Sequence, residues 1–307
     1  MSILKLDSSD CQGWLQPDWP VHSAVKALFS LRHSATADGV PAGISTAPFD
    51  RFNLGNHVGD AAECVAANRL QLAAQLGSSR PVFLNQVHGY GVLRLAADTP
   101  DGLDADASVT ALPGVACTVL VADCLPVLLA SSDGRVVAAV HAGWRGLAGV
   151  GASNTGNTGN EANKGILEAT AAHFQACFRA LDHQTPARAA IKIIAWLGPC
   201  IGPEKFEVGA EVRAAFMASM PDAGRFFTPS HSAAGEQKFN ADLAGLARLR
   251  LQALGVGGIY GNDSSPKWCT ASGPLRYFSH RRDAGSVGRG GNGHFTTGRM
   301  AACIWRT

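Results

Sequence analysis

Three side chains carry the chemistry this sequence can offer. Cys124 and His141 bracket an apolar segment, CLPVLLASSDGRVVAAVH, and His88 follows an apolar run upstream in PVFLNQVHGYG. A thiol and two imidazoles are a ligand set for a divalent ion, with bonds of about 2.3 Å from zinc to sulfur and about 2.0 Å to nitrogen. Set on three separate segments, they do not resemble the closely spaced ligand pairs of a structural knuckle. Three protein ligands with a fourth position open are what a catalytic zinc uses. Other uses of the same atoms stay open. Cys124 can serve as a nucleophile with His141 as its base. Two His and one Cys can take copper, the metal can be structural in a non-enzymatic scaffold, and a lone Cys is most often a small buried hydrophobe.

Residues 118–122 with 127–130 form one valine- and leucine-rich arm and 136–140 a second, joined by Ser131-Ser132-Asp133-Gly134, a hairpin pattern. A two-residue turn at Asp133-Gly134 puts Cys124 opposite Gly143 and makes Cys124 and His141 diagonal neighbours, with Cα atoms roughly 7–8 Å apart. A slip of one residue would send one of them to the other face. Pro126 restricts the first arm, because it has no N–H to donate and prefers an edge or a bulge. Cys117 falls among apolar neighbours and reads as core.

Around these positions NQVHG, VADCLPVLL and HAGWRG resemble the three signature segments of the YfiH family of purine nucleoside phosphorylases, formerly called laccase-domain or multicopper polyphenol oxidase proteins. LFSLR, FNLGNHVGD, GPCIGPEKFEVG and RYFSHRRD…TGRMAACI resemble further family segments in the family's order, so the likeness covers nearly the whole chain. It implies zinc held by His88, Cys124 and His141, a β-sandwich core between helical layers, and phosphate-dependent cleavage of adenosine, inosine, guanosine and methylthioadenosine. Adenosine deamination is implied as a second activity. Phosphorolysis needs cations to hold phosphate beneath the ribose; Arg32, Arg145 and the pair Arg281-Arg282, with Arg282 favoured, are the guanidinium groups in matching motifs, unless they only pair with neighbouring carboxylates. Asp123 is placed to act as an acid or base or, since alternation turns it away from Cys124, to orient an imidazole. Asn53, Asn85 and Gln86 sit where a purine or ribose could be hydrogen-bonded. The chain departs from the family pattern after Arg32, where HSATADGVPAGIS replaces a short turn, and between the RRD and TGR elements.

In bulk, 307 residues at 46% hydrophobic and 16% charged describe a globular chain, read as a single catalytic domain over 1–307 with loop inserts at 33–47, 149–165 and 284–296. A net charge of +2 lacks the basic excess of a nucleic-acid binder. The start has no apolar core for a signal peptide and no run spans a membrane, so a cytoplasmic monomer or small homo-oligomer is expected. Eight cysteines without a CxxC pair suit a reducing compartment. Ten histidines without an HxH pair argue against a multicopper oxidase.

The pattern predicts an α+β fold of two packed mixed β-sheets flanked by helices, in α/β/β/α layers. Strands are expected at 24–31 and 191–198 and in VGGIY, LRYFS and MAACIW. Helices are expected at 61–76 with Asp60 as cap, from 166, at 207–217, and at 240–254 with Asn240 as cap. The acidic stretch 101–110 reads as a turn and an edge strand, 33–47 reads as a surface loop, and His57 either faces the site or caps a turn.

Overall fold

The computed structural model describes residues 13–35, 41–150, 165–181, 192–231, 236–272, 276–283 and 296–307. The predicted inserts at 149–165 and 284–296 lie almost wholly outside the described residues, as does 36–40 of the first insert.

In chain order the elements are β1 (Trp14–Leu15), β2 (Val25–Ser30), α1 (Ala62–Gln75), β3 (Arg80–Phe83), β4 (Val92–Arg94), β5 (Ala107–Thr110), β6 (Val115–Val121), β7 (Leu125–Ser131), β8 (Val137–Ala142) and α2 (Trp144–Ala148). There follow α3 (Ile166–Leu181), β9 (Ile193–Leu197), β10 (Glu207–Gly209), α4 (Ala210–Ser219), β11 (Phe227–His231), β12 (Gln237–Ala241), α5 (Leu243–Ala253), β13 (Gly258–Gly261), α6 (His280–Asp283) and β14 (Met300–Arg306). One sheet has the order β1-β2-β14-β6-β3 and the other β13-β9-β7-β8-β5-β4, with a small third sheet β10-β12-β11.

The two large sheets stack, and helices cover their outer faces, which is why the central strands are continuous apolar runs. On β7, Leu128 and Ala130 enter the cluster between the sheets with Phe29, Val119, Trp196 and Ile304. Val127 and Leu129, on the opposite face of the pleat, pack with Leu167, Phe174 and Leu246 of α3 and α5. On the far side Leu72 and Leu76, at the end of α1, cover Leu28, Leu120 and Trp305. The layers are the expected α/β/β/α, and the third sheet adds to them.

The hairpin differs from expectation in a way that builds the site. Residues 118–122 and 127–130 are not one arm: β6 and β7 belong to different sheets. The chain steps from one to the other at Ala122-Asp123-Cys124, with Asp123 in the left-handed region at φ 82. Short polar Asp tolerates that conformation better than a branched residue would. The β7–β8 register is nevertheless the one that an Asp133-Gly134 turn demands, with Leu125 opposite Ala142 and Pro126 opposite His141. Ser131 N closes the ladder on Val136 O, Gly134 takes φ 72, and Ser131 Oγ accepts from the N–H groups of Arg135 and Val136. Pro126 is the second residue of a central strand rather than part of an edge. Gly198 N donates to its carbonyl, and the Asn262 amide donates to Gly198 O, filling the acceptor that Pro126 cannot serve.

Other expectations are corrected locally. Residues 107–110 lie between β4 and β8 and are wholly buried, so they are not an edge strand. Tyr277 and Phe278 both enter the core between the sheets, which consecutive residues of a strand cannot do, and LRYFS forms no strand among its described residues. Glu207–Gly209 pairs with β12, delaying the helix to Ala210. Asn240 lies in β12, and the cap of α5 is Asp242, whose Oδ1 accepts from Gly245 N at 2.8 Å. Ala61 precedes α1, while Asp60 takes the Ser45 hydroxyl and the Asn53 amide. Residues 42–45 are not a free surface loop: Gly43 N and Ile44 N donate to Gln71 and Asn68 of α1. Among the described residues no helix is long and apolar enough to cross a membrane.

Candidate metal centre

Cys124 enters the site from the step between sheets, His141 from the end of β8, and His88 from the loop after β3, where its φ is 58. Their ligand atoms lie within 4.8 Å of one another. The two imidazole rings meet edge to face, with centroids 4.8 Å apart. The β7–β8 register extends to Cys124 opposite Gly143, and that glycine leaves the space the three side chains share. A Cβ on Gly143 would sit 3.2 Å from Cys124 Sγ and from His88 Cδ2, and 3.6 Å from His141 Cε1. A Cβ on Gly146 would come within 2.3 Å of Gly89 O, so α2 packs on the His88 loop only because position 146 lacks one. The glycines of HAGWRG are thus steric requirements of the site.

Asp106, at the entry to β5, was not singled out by the sequence. It is completely buried, and its Oδ1 lies 2.8 Å from His141 Nδ1. His88 N donates to the same oxygen at 3.0 Å, while Gly89 N and Val87 N donate to Oδ2 at 2.7 and 3.3 Å. The strand after it mixes Ala and Val with Ser108 and Thr110, so nothing in the sequence clearly marked its burial; once buried, the carboxylate needs partners.

Burial pushes the Cys124 thiol up, but the charge and hydrogen bond of His141, followed by those of His88, outweigh it and bring the thiol down to about 6. Burial pulls His141 down, and Cys124 together with Asp106 lifts it to about 9. Without a metal the pair is thiolate and imidazolium at neutral pH. The sulfur therefore meets a cation already ionised, whereas His141 must release a proton to ligate. Two imidazoles and a thiolate this close, around a space a methyl group would fill, suit zinc in size and donor type.

The centre lies in a cavity of about 320 Å³. Leu120, Trp144, Ile201, Phe206 and Leu243 give it apolar walls, and His57, Gln86, Asp123, Arg281 and Arg299 add polar groups. Burial lowers His57, with Arg299 and Arg69 acting in the same sense. His57 lies in a turn and lines the cavity.

The structure brings only some of the expected residues here. Gln86 lines the cavity, but its amide is closed on both main-chain groups of Leu120, at 2.7 Å each. Asp123 accepts from the Thr270 hydroxyl at 2.5 Å and from Arg281 N at 2.6 Å, so the carboxylate that orients an imidazole is Asp106 instead. Arg145 is exposed, with its guanidinium 4.7 Å from the Trp144 ring centroid, and is not among the residues that line the cavity. Arg32 is buried between Asp50 at 3.0 Å and Asp283 at 3.6 Å. Asn53 is fully buried and serves Gly55, Asp60 and Arg299 N. Asn85 donates to Asp104. Arg282 donates to Thr270 O and Tyr277 O, carbonyls of an irregular segment that has no ladder to satisfy them. The cations that line the cavity are Arg281, anchored on Lys205 O and Glu207 O, and Arg299, anchored on Thr297 O and Gly298 O.

Residues 35–307 match the family model described as multi-copper polyphenol oxidoreductase laccase. A Pseudomonas aeruginosa protein named purine nucleoside phosphorylase is 40% identical over 292 residues, 95% of this chain and 98% of its own length. Purine nucleoside phosphorylase YfiH of Escherichia coli K12 is 41% identical over 290 residues, 94% of this chain and 97% of that one. The chain belongs to the YfiH family. Solved structures agree: a Neisseria meningitidis protein superposes with a TM-score of 0.73 at 38% identity, covering 96% of this chain and 99% of its own. YlmD from Geobacillus stearothermophilus gives 0.68 at 28% identity, covering 96% of each chain. The α+β fold is therefore that of solved YfiH-family relatives, and the His88–Cys124–His141 group lies within the part of the chain that the family model matches.

Proposed function

We propose that this protein is a zinc-dependent purine nucleoside phosphorylase, one catalytic domain working in the cytoplasm on adenosine, inosine, guanosine and S-methyl-5′-thioadenosine, with adenosine deamination as a second activity. The observation that carries the reading is one juxtaposition: a His-Cys-His group sharing a cavity with apolar walls and two guanidinium groups. The names of the relatives support the same chemistry.

His88, Cys124 and His141 would hold the zinc, which when bound supplies Lewis acidity and brings the pKa of a bound water toward about 7. The purine is placed against Trp144 and Phe206, where its flat faces replace water. Arg281 and Arg299 take the phosphate, to which a guanidinium fork is matched. Both rest on main-chain carbonyls, so they reach the phosphate already oriented. A phosphate oxygen then bonds to C1′ as the glycosidic C–N bond breaks, and the bonding pair leaves on the purine, which takes up a proton. Free purine and ribose 1-phosphate result. Deamination would exchange the C6 amino group for an oxygen from water, releasing ammonia. Asp123 acts by holding Arg281 N and Thr270 in place.

Asp106, His141 and Cys124 also stand in the order orienter, base and nucleophile, which favours a cysteine hydrolase as the second reading. For a multicopper oxidase the donors fall short. Among the described residues, His88, Cys124 and His141 are the group able to hold an ion, enough for one metal.

The test is zinc-loaded protein incubated with adenosine, with and without phosphate. Adenine and ribose 1-phosphate should form only with phosphate, and inosine in either case. Failure to form either adenine or inosine removes the proposal.

A further inference from the structure

Four N–H groups converge on the Asp106 carboxylate, and all four belong to the two histidine-bearing segments. Oδ1 faces His141 Nδ1 at 2.8 Å and His88 N at 3.0 Å. Oδ2 faces Gly89 N at 2.7 Å and Val87 N at 3.3 Å. The main chain adds a fifth tie, His141 N to Asp106 O at 2.7 Å. Three of the four side-chain partners are main-chain amides, which can only donate. An ionised carboxylate, which can only accept, fits them on both oxygens. Its Oδ1 also requires a proton on His141 Nδ1, so the nitrogen that gives up its proton to a metal is Nε2, on the side of Cys124.

We infer that Asp106 is the positioning residue of the centre: one carboxylate sets the tautomer of His141 and the loop conformation that presents His88. This rests on the reading of the three side chains as metal ligands. Asp106→Asn separates the roles because the shape is kept and one acceptor becomes a donor. If the amide oxygen stays on Gly89 N and Val87 N, the NH₂ group confronts His88 N and His141 Nδ1. If the amide turns over, it confronts two main-chain donors. The first arrangement leaves fewer opposed donors, and in it His141 must accept at Nδ1 and carry its proton on Nε2, the atom a metal needs.

The experiment uses full-length protein and zinc alone. By competition with a chelator, Asp106→Asn should bind zinc 10–100-fold more weakly than the parent. Ring ¹⁵N spectra of the zinc-free proteins should show a proton on His141 Nδ1 in the parent, and in the variant a bare Nδ1 with the proton on Nε2. A merely structural role would lower affinity without moving that proton. Equal zinc affinity, or a proton that stays on Nδ1 in the variant, overturns the inference. If the variant does not fold, the parent alone decides: slow exchange of the Val87, His88 and Gly89 amides and a slowly exchanging Nδ1–H support the hub, and fast exchange of either overturns it. Should the parent bind no zinc, the metal reading fails by itself, and amide exchange at 87–89 in parent and variant still tests the hub: faster exchange in Asp106→Asn supports it, unchanged exchange overturns it.

Discussion

In the metal-free protein the Cys124 thiol lies at about 6 instead of the ordinary 9.0. At pH 7 such a thiol is about 90% thiolate where an ordinary one is about 1%, a gain of roughly 90-fold. A more acidic thiolate is a weaker nucleophile, and with a Brønsted coefficient of about 0.4–0.5 the three-unit drop returns a factor of roughly 20. The net advantage at pH 7 is then only about fourfold, so a single rate decides little. The pH dependence decides. After chelation, alkylation of Cys124 by iodoacetamide, followed residue by residue in a mass spectrometer, should be flat from pH 7 to 8.5 and fall below pH 6. Cys64 is partly exposed and held above the ordinary value by burial and by Asp60 and Glu63, so its rate should climb about tenfold per pH unit. Zinc should suppress the Cys124 reaction, which a catalytic nucleophile in a metal-free enzyme would not show. A Cys124 rate that climbs like that of Cys64 would refute the thiolate–imidazolium pair. Stability follows the same pair: the thiolate, depressed on folding, adds stability that is lost as pH falls through about 6. The imidazolium, raised on folding, adds stability that is lost as pH rises from 6.5 to about 9, but over that span the thiolate gains what the imidazolium loses, so this pair should leave the melting temperature of the metal-free protein nearly flat from about 6.5 upward and lower it only toward pH 6.

Gly143→Ala should reduce zinc affinity at least tenfold while shifting the melting temperature little, because the new methyl meets the sulfur and a ring carbon at 3.2 Å and not the core; titration with a zinc indicator reads it. Arg299→Met should raise the KM for phosphate tenfold or more and leave zinc content unchanged, since the guanidinium lines the cavity while its anchors are its own neighbours' carbonyls. Leu128→Ala, at a fully buried position between the sheets, should cost about 3–5 kcal/mol in urea unfolding and leave the kinetics of the folded fraction intact.

That Cys124 and His141 come together was legible because motif and register both bear on them. Asp133-Gly134 fixes how β7 faces β8, and with that fixed Cys124 and Gly143 must meet. The step between sheets was not legible, because 115–121 and 125–131 are equally apolar and nothing in a valine-rich run says which sheet it joins. The arginines failed for a related reason. Arg32, Arg145, Arg281, Arg282 and Arg299 look alike as sequence, and their tasks are set by which carbonyls and carboxylates lack partners once the chain has folded. Arg282 serves Thr270 O and Tyr277 O, while Arg281 beside it lines the cavity. Asp106 and Arg299 share a feature: each is a charged residue directly before a strand buried along all or nearly all of its length, where burial demands a specific partner.

X-ray absorption at the zinc edge of the loaded protein tests the central claim most directly. The expected result is one zinc per chain with a single sulfur neighbour at about 2.3 Å and two imidazole nitrogens at about 2.0 Å, the sulfur vanishing in Cys124→Ser. A zinc shell of oxygen and nitrogen alone in the parent protein, or no retained zinc, would contradict the account.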